Sequence, residues 1–360
     1  MDGNSEALLL SLSRYLRPAL SLPLIDVSEP ISETLATFAV SRHRVGPLLH
    51  LATQGSADVT ADDNASSILE TAYQNNIFAG LKQKAAEKNI SKLLNAHSVP
   101  FSILKGRGLA EQLHDDSTAR QSKDVDILIS PDRTRQAIGL LNDQGYIYKP
   151  YSLRRKKMFE LARQDMEIKL FKDLTFLDPT FSVPIELHNR LFAFEPKTLT
   201  KDFSQSIKFT LNPQLTESFY CLYLILHGAL AMWPRLKWVV DLSIIARKMP
   251  AQRRIEMLNI AASYGCDEAV AASLLMVESV FAGSLDDEWQ LLLNQHRNNE
   301  RLHQIKNWFY ESLIASEIGR SVLPLSRYMS IGSAGFVFPG NINIIENFFR
   351  RWMASLTIRI

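Results

Sequence analysis

Apolar residues over roughly the first 95 positions recur three and four apart, the spacing that lines one face of a helix. Ser5 to Leu16 reads as an amphipathic helix, Ile31 to Ala39 and Val45 to Ala52 as short ones, and Ser66 to Asn95 as a long one. The long segment carries Ile68, Leu69, Ala72, Ile77, Leu81, Ala85, Ile90 and Leu93 near helical period and is expected to support a sheet. Gln54 to Asn64 is polar and rich in Gly, Ser and Asp, the composition of a surface loop.

From about residue 96 the period shortens. Val99 to Leu104 reads as a strand, Lys105-Gly106-Arg107-Gly108 as a tight turn, and Leu109 to Leu113 as the first turns of a helix. In the next strand Val125, Ile127 and Ile129 point one way and Asp124 and Asp126 the other. Pro131 opens a helix as its first residue, with Ala137, Leu140 and Leu141 facing inward, and Gly145 closes it. Tyr146 to Tyr148, Met158 to Ala162 and Met166 to Phe171 read as short strands, and Val183 to His188 alternates Val183, Ile185 and Leu187 against Glu186 and His188. Beyond about 214 the pattern is helical almost throughout. The whole predicts an α+β chain with a helical region at 1–95, a mixed core at 96–213 and a helical domain at 214–360.

With 360 residues, 46% of them hydrophobic, the chain can bury ample core. Its 40 basic and 38 acidic residues nearly cancel, so no global field points to nucleic acid. Cys221 and Cys266 sit in apolar helical surroundings without metal-ligand spacing, which reads as reduced core thiols rather than zinc or a disulfide. Met-Asp-Gly-Asn-Ser-Glu lacks the basic start of a signal peptide, and the longest nearly apolar run, Phe219 to Trp233, is shorter than the ~18 residues a membrane span needs. A cytoplasmic protein with no membrane partner is expected.

The Asp124/Asp126 pair adds chemistry to this frame. Two carboxylates on one strand face repel each other unless a cation sits between them, and hard oxygen donors so placed suit Mg²⁺, or Mn²⁺, together with substrate phosphates. The glycine turn leaves room for a phosphate to approach backbone N–H groups, with Lys105 and Arg107 adding charge. Strand, glycine turn, helix and Asp-x-Asp strand together are far more specific than either short motif alone.

The run Leu-Lys-Gly-x-x-Leu from Leu104, Arg120-x-x-x-Asp-x-Asp-Ile-Leu-Ile, a helix ending at Gly145-Tyr146, and Ile185-Glu186-Leu187-His188 resembles the uncharacterised bacterial nucleotidyltransferase-like family of the DNA polymerase beta superfamily. The resemblance covers about Ser91 to Leu191 and continues more loosely through His227 to Asp241. It implies a polymerase-beta-like core in which the turn Lys105, Gly106, Arg107, Gly108 holds a nucleoside triphosphate. It also implies that Asp124, Asp126 and a third carboxylate bind metal, and that a nucleoside monophosphate passes to an acceptor, whether RNA, protein or a small molecule. The turn departs from the superfamily's usual Gly-Ser or Gly-Gly.

Strand phase and resemblance together select Glu186 as that third carboxylate, with Glu167 the rival. His188 reads either as a phosphate or acid/base contact or as a hydrogen-bonded structural histidine. Arg154-Arg155-Lys156-Lys157 reads as a solvated hairpin turn or a phosphate contact. In the block from His227 to Asp241, Pro234 is expected to interrupt a helix. The block reads either as a helix pair with buried aromatics and an Asp241 ion pair, or as a cleft wall with His227, Arg235 or Lys237 facing ligand. Ile342 to Met353 reads as a capping helix. A nucleotide-binding regulator without turnover and a helical interaction protein using the fold as scaffold are the competing functions.

Overall fold

A computed structural model describes residues 3–25, 27, 29–149, 168, 171–294, 296, 298–315, 329–340 and 346. The expected strand Met158 to Ala162, the basic turn at 154–157, Glu167, all of Met166 to Phe171 but Ile168 and Phe171, and nearly all of the Ile342 to Met353 helix lie outside these residues.

The chain forms two compact units: one built on Met1–Phe78, Ala110–Gln121 and Leu215–Pro339, the other on Ala79–Leu109 and Ser122–Gln214. Their division falls inside the long helix Asp63–Ala96.

The first unit is helical. Its helices include α1 (Gly3–Leu16), α2 (Glu33–Phe38), α3 (Gly46–Gly55) and the first half of α4 (Asp63–Ala96). Ser32 caps α2 by accepting from Leu35 N, and a π-helical turn, Ala39–His43, continues it.

The second unit carries a five-stranded sheet in the order β1 (Phe101–Lys105), β2 (Val125–Ile129), β5 (Pro184–His188), β4 (Asp173–Leu177), β3 (Ile147–Tyr148). Only β2 and β5 are parallel among these pairs. One face is apolar because the period-2 pattern sends Ile103, Val125, Ile127, Ile129, Leu174, Phe176, Ile185 and Leu187 to it. There they pack on Ala86, Ile90 and Leu94 of α4 and on Ala137, Ile138 and Leu141 of α6 (Thr134–Asp143). The second half of the long helix therefore supports the sheet, but through Ala86, Ile90 and Leu94, whereas Leu81 of the expected stripe is 62% exposed.

Strand β4 is a departure from the sequence reading. Asp173, Thr175 and Leu177 alternate with Leu174 and Phe176, but the run is short and follows directly on another apolar stretch. A tight turn fixes its pairing with β5: Asp178 Oδ1 accepts from Thr180 N (2.9 Å) and Phe181 N (2.7 Å), and Ser182 takes a positive φ of 54°. That turn sets Thr175 opposite Glu186 and Asp173 opposite His188. On the outer side of β1, Ile103 N donates to Leu211 O (2.8 Å), which covers an otherwise open strand edge.

After β1 the chain turns at Gly106, whose φ of +122° disfavours any side chain, and enters α5 (Arg107–Leu113). The helix thus begins earlier than expected, and Arg107 and Gly108 are its first residues.

Candidate active site

Opposite its apolar face, the sheet carries Asp126, Thr175, Glu186 and His188 beside the buried Leu128. The parallel register of β2 and β5 pairs Asp126 with Glu186 and Leu128 with His188, and the bulged antiparallel register of β1 pairs Lys105 with Asp126. Since Val125, Ile127, Ile185 and Leu187 are committed to the core, Asp126, Glu186 and His188 have no choice but the other face. One ligand atom from each of these three lies within 4.8 Å of the others.

The group is well buried and tightly interlinked. Asp126 is 3% exposed; its Oδ1 lies 3.0 Å from His188 Nε2 and 3.3 Å from Lys105 Nζ. His188 Nε2 is also 3.6 Å from Glu186 Oε2. Burial pulls the His188 imidazole toward its neutral form and Lys172 adds to this. The carboxylates of Asp126 and Glu186 outweigh both, so its pKa is raised above the ordinary histidine value. His188 Nδ1 and the hydroxyl of Thr175, the residue opposite Glu186, are buried without a hydrogen-bond partner. Lys172 Nζ holds Asp173 at 2.7 Å, beside His188.

Of the residues singled out from sequence, the structure gathers Asp126, Glu186, His188 and Lys105. Asp124 stands just before β2, half-buried and outside the group of three; its backbone carbonyl accepts from Ser122 Oγ (3.2 Å). Arg107 is 7% exposed, and its guanidinium lies over α4 where Gly80 has no side chain: a Cβ there would come within 2.8 Å of Cζ. Gly108 similarly admits Asn212, whose Oδ1 would meet a Cβ at 2.7 Å. Thr175, Lys172 and Asp173 were not singled out, because strand β4 was not recognised; the alternation of Leu174 and Phe176 was the available signal.

The block from His227 to Asp241 lies in the helical unit and is knit into it. Pro234 separates α7 (Ser218–Leu230) from α8 (Leu236–Lys248), as expected. Asp241 receives Arg120 Nε and Nη2 at 3.0 Å, Lys237 Nζ donates to Gln121 O (2.8 Å), and Arg235 Nη1 donates to Arg42 O (3.2 Å). His227 packs between Tyr223 and Trp238, with ring centroids 6.2 and 5.5 Å away.

The donor set fits a divalent cation of hard character. Two carboxylates on adjacent strands supply oxygen ligands of the kind Mg²⁺ and Mn²⁺ prefer, and His188, hydrogen-bonded to Asp126, orients one of them. No helix among the described residues is long and apolar enough to cross a membrane.

No curated protein and no solved structure is significantly similar to this chain. The family described as "Uncharacterised nucleotidyltransferase" matches residues 31–282, which include the whole five-stranded sheet and the Asp126, Glu186 and His188 cluster. With well over half its length matched, the chain belongs to this nucleotidyltransferase family.

Proposed function

We propose that the protein is a metal-dependent nucleotidyltransferase that moves a nucleoside monophosphate from an NTP to an acceptor hydroxyl with release of pyrophosphate. The observation that carries this reading is the in-register pairing of Asp126 with Glu186 on parallel strands, on the face opposite the core. Asp126 and Glu186 hold the cation, Mg²⁺ or Mn²⁺, and Asp124 adds a carboxylate at the entry of β2. Bound there, the cation would neutralise phosphate charge and orient the triphosphate.

The remaining roles belong to the chain's own side chains. Lys105, beside Asp126, is the cation for the phosphates; Arg107, laid over Gly80, supports the Gly106–Gly108 turn from below. The Glu186 side chain is 18% exposed against 4% for Asp126, so it is the carboxylate an incoming acceptor reaches and the group that takes the hydroxyl proton. His188 keeps Asp126 oriented. Rate enhancement comes from alignment and charge placement, since in-line displacement at the α-phosphate asks little covalent chemistry of the protein.

Calorimetric titration with each NTP, with and without Mg²⁺, tests the reading. At least one NTP should bind the wild type in a metal-dependent way, and Asp126→Asn should abolish that binding. Binding that ignores both the metal and Asp126 would refute it.

A further inference from the structure

Thr175 sits at the centre of β4, with its backbone fixed on both sides. It stands opposite Glu186 in the β4–β5 register, and its carbonyl accepts from Lys149 N (2.8 Å) on the β3 side. Its neighbours Leu174 and Phe176 are committed to the core, so its own side chain stands on the face that carries Asp126, Glu186 and His188.

The residue is 6% exposed, and its hydroxyl is buried without a hydrogen-bond partner. A donor so placed is out of reach of solvent and of any ligand, and can be satisfied only by a group of the protein itself; left unpaired, it is destabilising. Residues directly opposite in an antiparallel pair hold their Cβ atoms about 4.5–5.5 Å apart, against roughly 6.5–7 Å for residues two apart on one strand. The acidic side chain that springs closest to Thr175 is therefore that of Glu186, ahead of Asp173, whose carboxylate is already held by Lys172 at 2.7 Å.

Glu186 has room to accept this donor. Its Oε2 lies 3.6 Å from His188 Nε2, a longer contact than the 3.0 Å that Asp126 Oδ1 makes to the same nitrogen. A carboxylate accepts several hydrogen bonds, and at 18% exposure the Glu186 side chain is less enclosed than Asp126 at 4%. On the threonine side, rotation about the Cα–Cβ bond between staggered positions re-aims the hydroxyl with no change in the strand.

We propose that Thr175 is a positioning residue of the metal site: when a cation bridges Asp126 and Glu186, the Thr175 hydroxyl donates to the Glu186 carboxylate and holds it turned toward the cation. The proposal rests on the function proposed above for the cation's place between the two carboxylates, and needs no nucleotide. Hydrogen bonds to a ligating carboxylate fix its orientation, and their loss costs about 10–100-fold in metal affinity. Because the hydroxyl makes no hydrogen bond within the fold, its contribution is confined to metal binding.

The test compares Thr175→Val, which keeps the branched shape without the hydroxyl, with Thr175→Ser, which keeps the hydroxyl. On the full chain, Mn²⁺ affinity is measured without nucleotide by electron paramagnetic resonance, and the melting temperature without metal. Thr175→Val should bind Mn²⁺ about tenfold more weakly or worse, and Thr175→Ser within about twofold of wild type. Without metal, Thr175→Val should melt at the wild-type temperature or above it, since a buried unpaired hydroxyl has been removed. A threonine that only supports the fold predicts the reverse, a lower melting temperature with Mn²⁺ affinity unchanged. Wild-type Mn²⁺ affinity in Thr175→Val, or equal losses in the Val and Ser variants, overturns the proposal. A Thr175→Val chain that does not fold shows the hydroxyl already in use by the fold and overturns it equally. Absence of Mn²⁺ binding in the wild type overturns the metal site and this proposal with it, whereas binding that needs Asp126 but not the Thr175 hydroxyl overturns this proposal alone.

Discussion

The Lys105 ammonium lies 3.3 Å from Asp126 Oδ1, and the two side chains are 14% and 4% exposed. Asp126 is thus a paired anion even without a cation, and Asp126→Asn should lower the stability of the metal-free protein instead of relieving repulsion. A buried charged donor left without its partner costs about 1–3 kcal/mol, and Asp126→Asn with Lys105→Met should cost less than the sum of the two changes. Metal-free denaturant unfolding of the four proteins measures this; strict additivity would show that the contact carries no coupling.

Arg120 and Asp241 form a buried, two-oxygen ion pair within the helical unit. Removing one partner of such a pair costs about 3–5 kcal/mol, whereas apolar replacement of both is often tolerated. Asp241→Asn should therefore lower the unfolding midpoint strongly, and Arg120→Met with Asp241→Leu should recover most of the loss. Equal loss in the single and double variants would assign Arg120 a further partner of comparable weight.

Gly228 allows α7 to lie directly beneath the Trp233 indole, which is 2% exposed and donates through Nε1 to Ser273 Oγ (3.0 Å). A methyl group at 228 would run into that ring. Gly228→Ala should destabilise by about 1–3 kcal/mol in spite of its better helix propensity, as overpacking does. A rise in melting temperature would show that the ring can move away freely.

Glu195 gives a pH dependence whose sign is set by burial. Its folded pKa is raised from 4.5 to about 7, so in that window the folded chain holds a proton the unfolded chain has released. The associated stability is fully present below about pH 4.5 and is lost as pH rises to about 7, by up to about 1.4 kcal/mol per pH unit. Glu195→Gln cannot ionise, so its melting temperature relative to wild type should climb from pH 5 to pH 8. A constant difference across that range would mean that Glu195 titrates normally.

Much of this architecture was readable from spacing. The α4 apolar stripe and the alternation in β2 and β5 determine which faces meet, and therefore that Asp126 and Glu186 look away from the core. What lay beyond reach was partnership at long sequence separation. Arg107, read as a phosphate contact, lies over Gly80, 27 positions earlier, a proximity that no local pattern announces. Lys105 carries the same charge but was met by Asp126 through a β-bulge, a register irregularity that no local pattern announces. Strand β4 escaped notice because the alternation of Asp173 to Leu177 spans only five residues, too few to separate it from the apolar run preceding it.

The most direct measurement uses one NTP labelled at the α-phosphate and, in parallel, at the γ-phosphate, incubated with the protein, Mg²⁺ and separate fractions of RNA, cell protein and metabolites. Nucleotidyl transfer predicts that one fraction gains the α-label and never the γ-label. Asp126→Asn and Glu186→Gln should both abolish the gain, the latter while NTP binding persists. Gain of the γ-label, or α-label incorporation undiminished by Glu186→Gln, would contradict the assignment of this site.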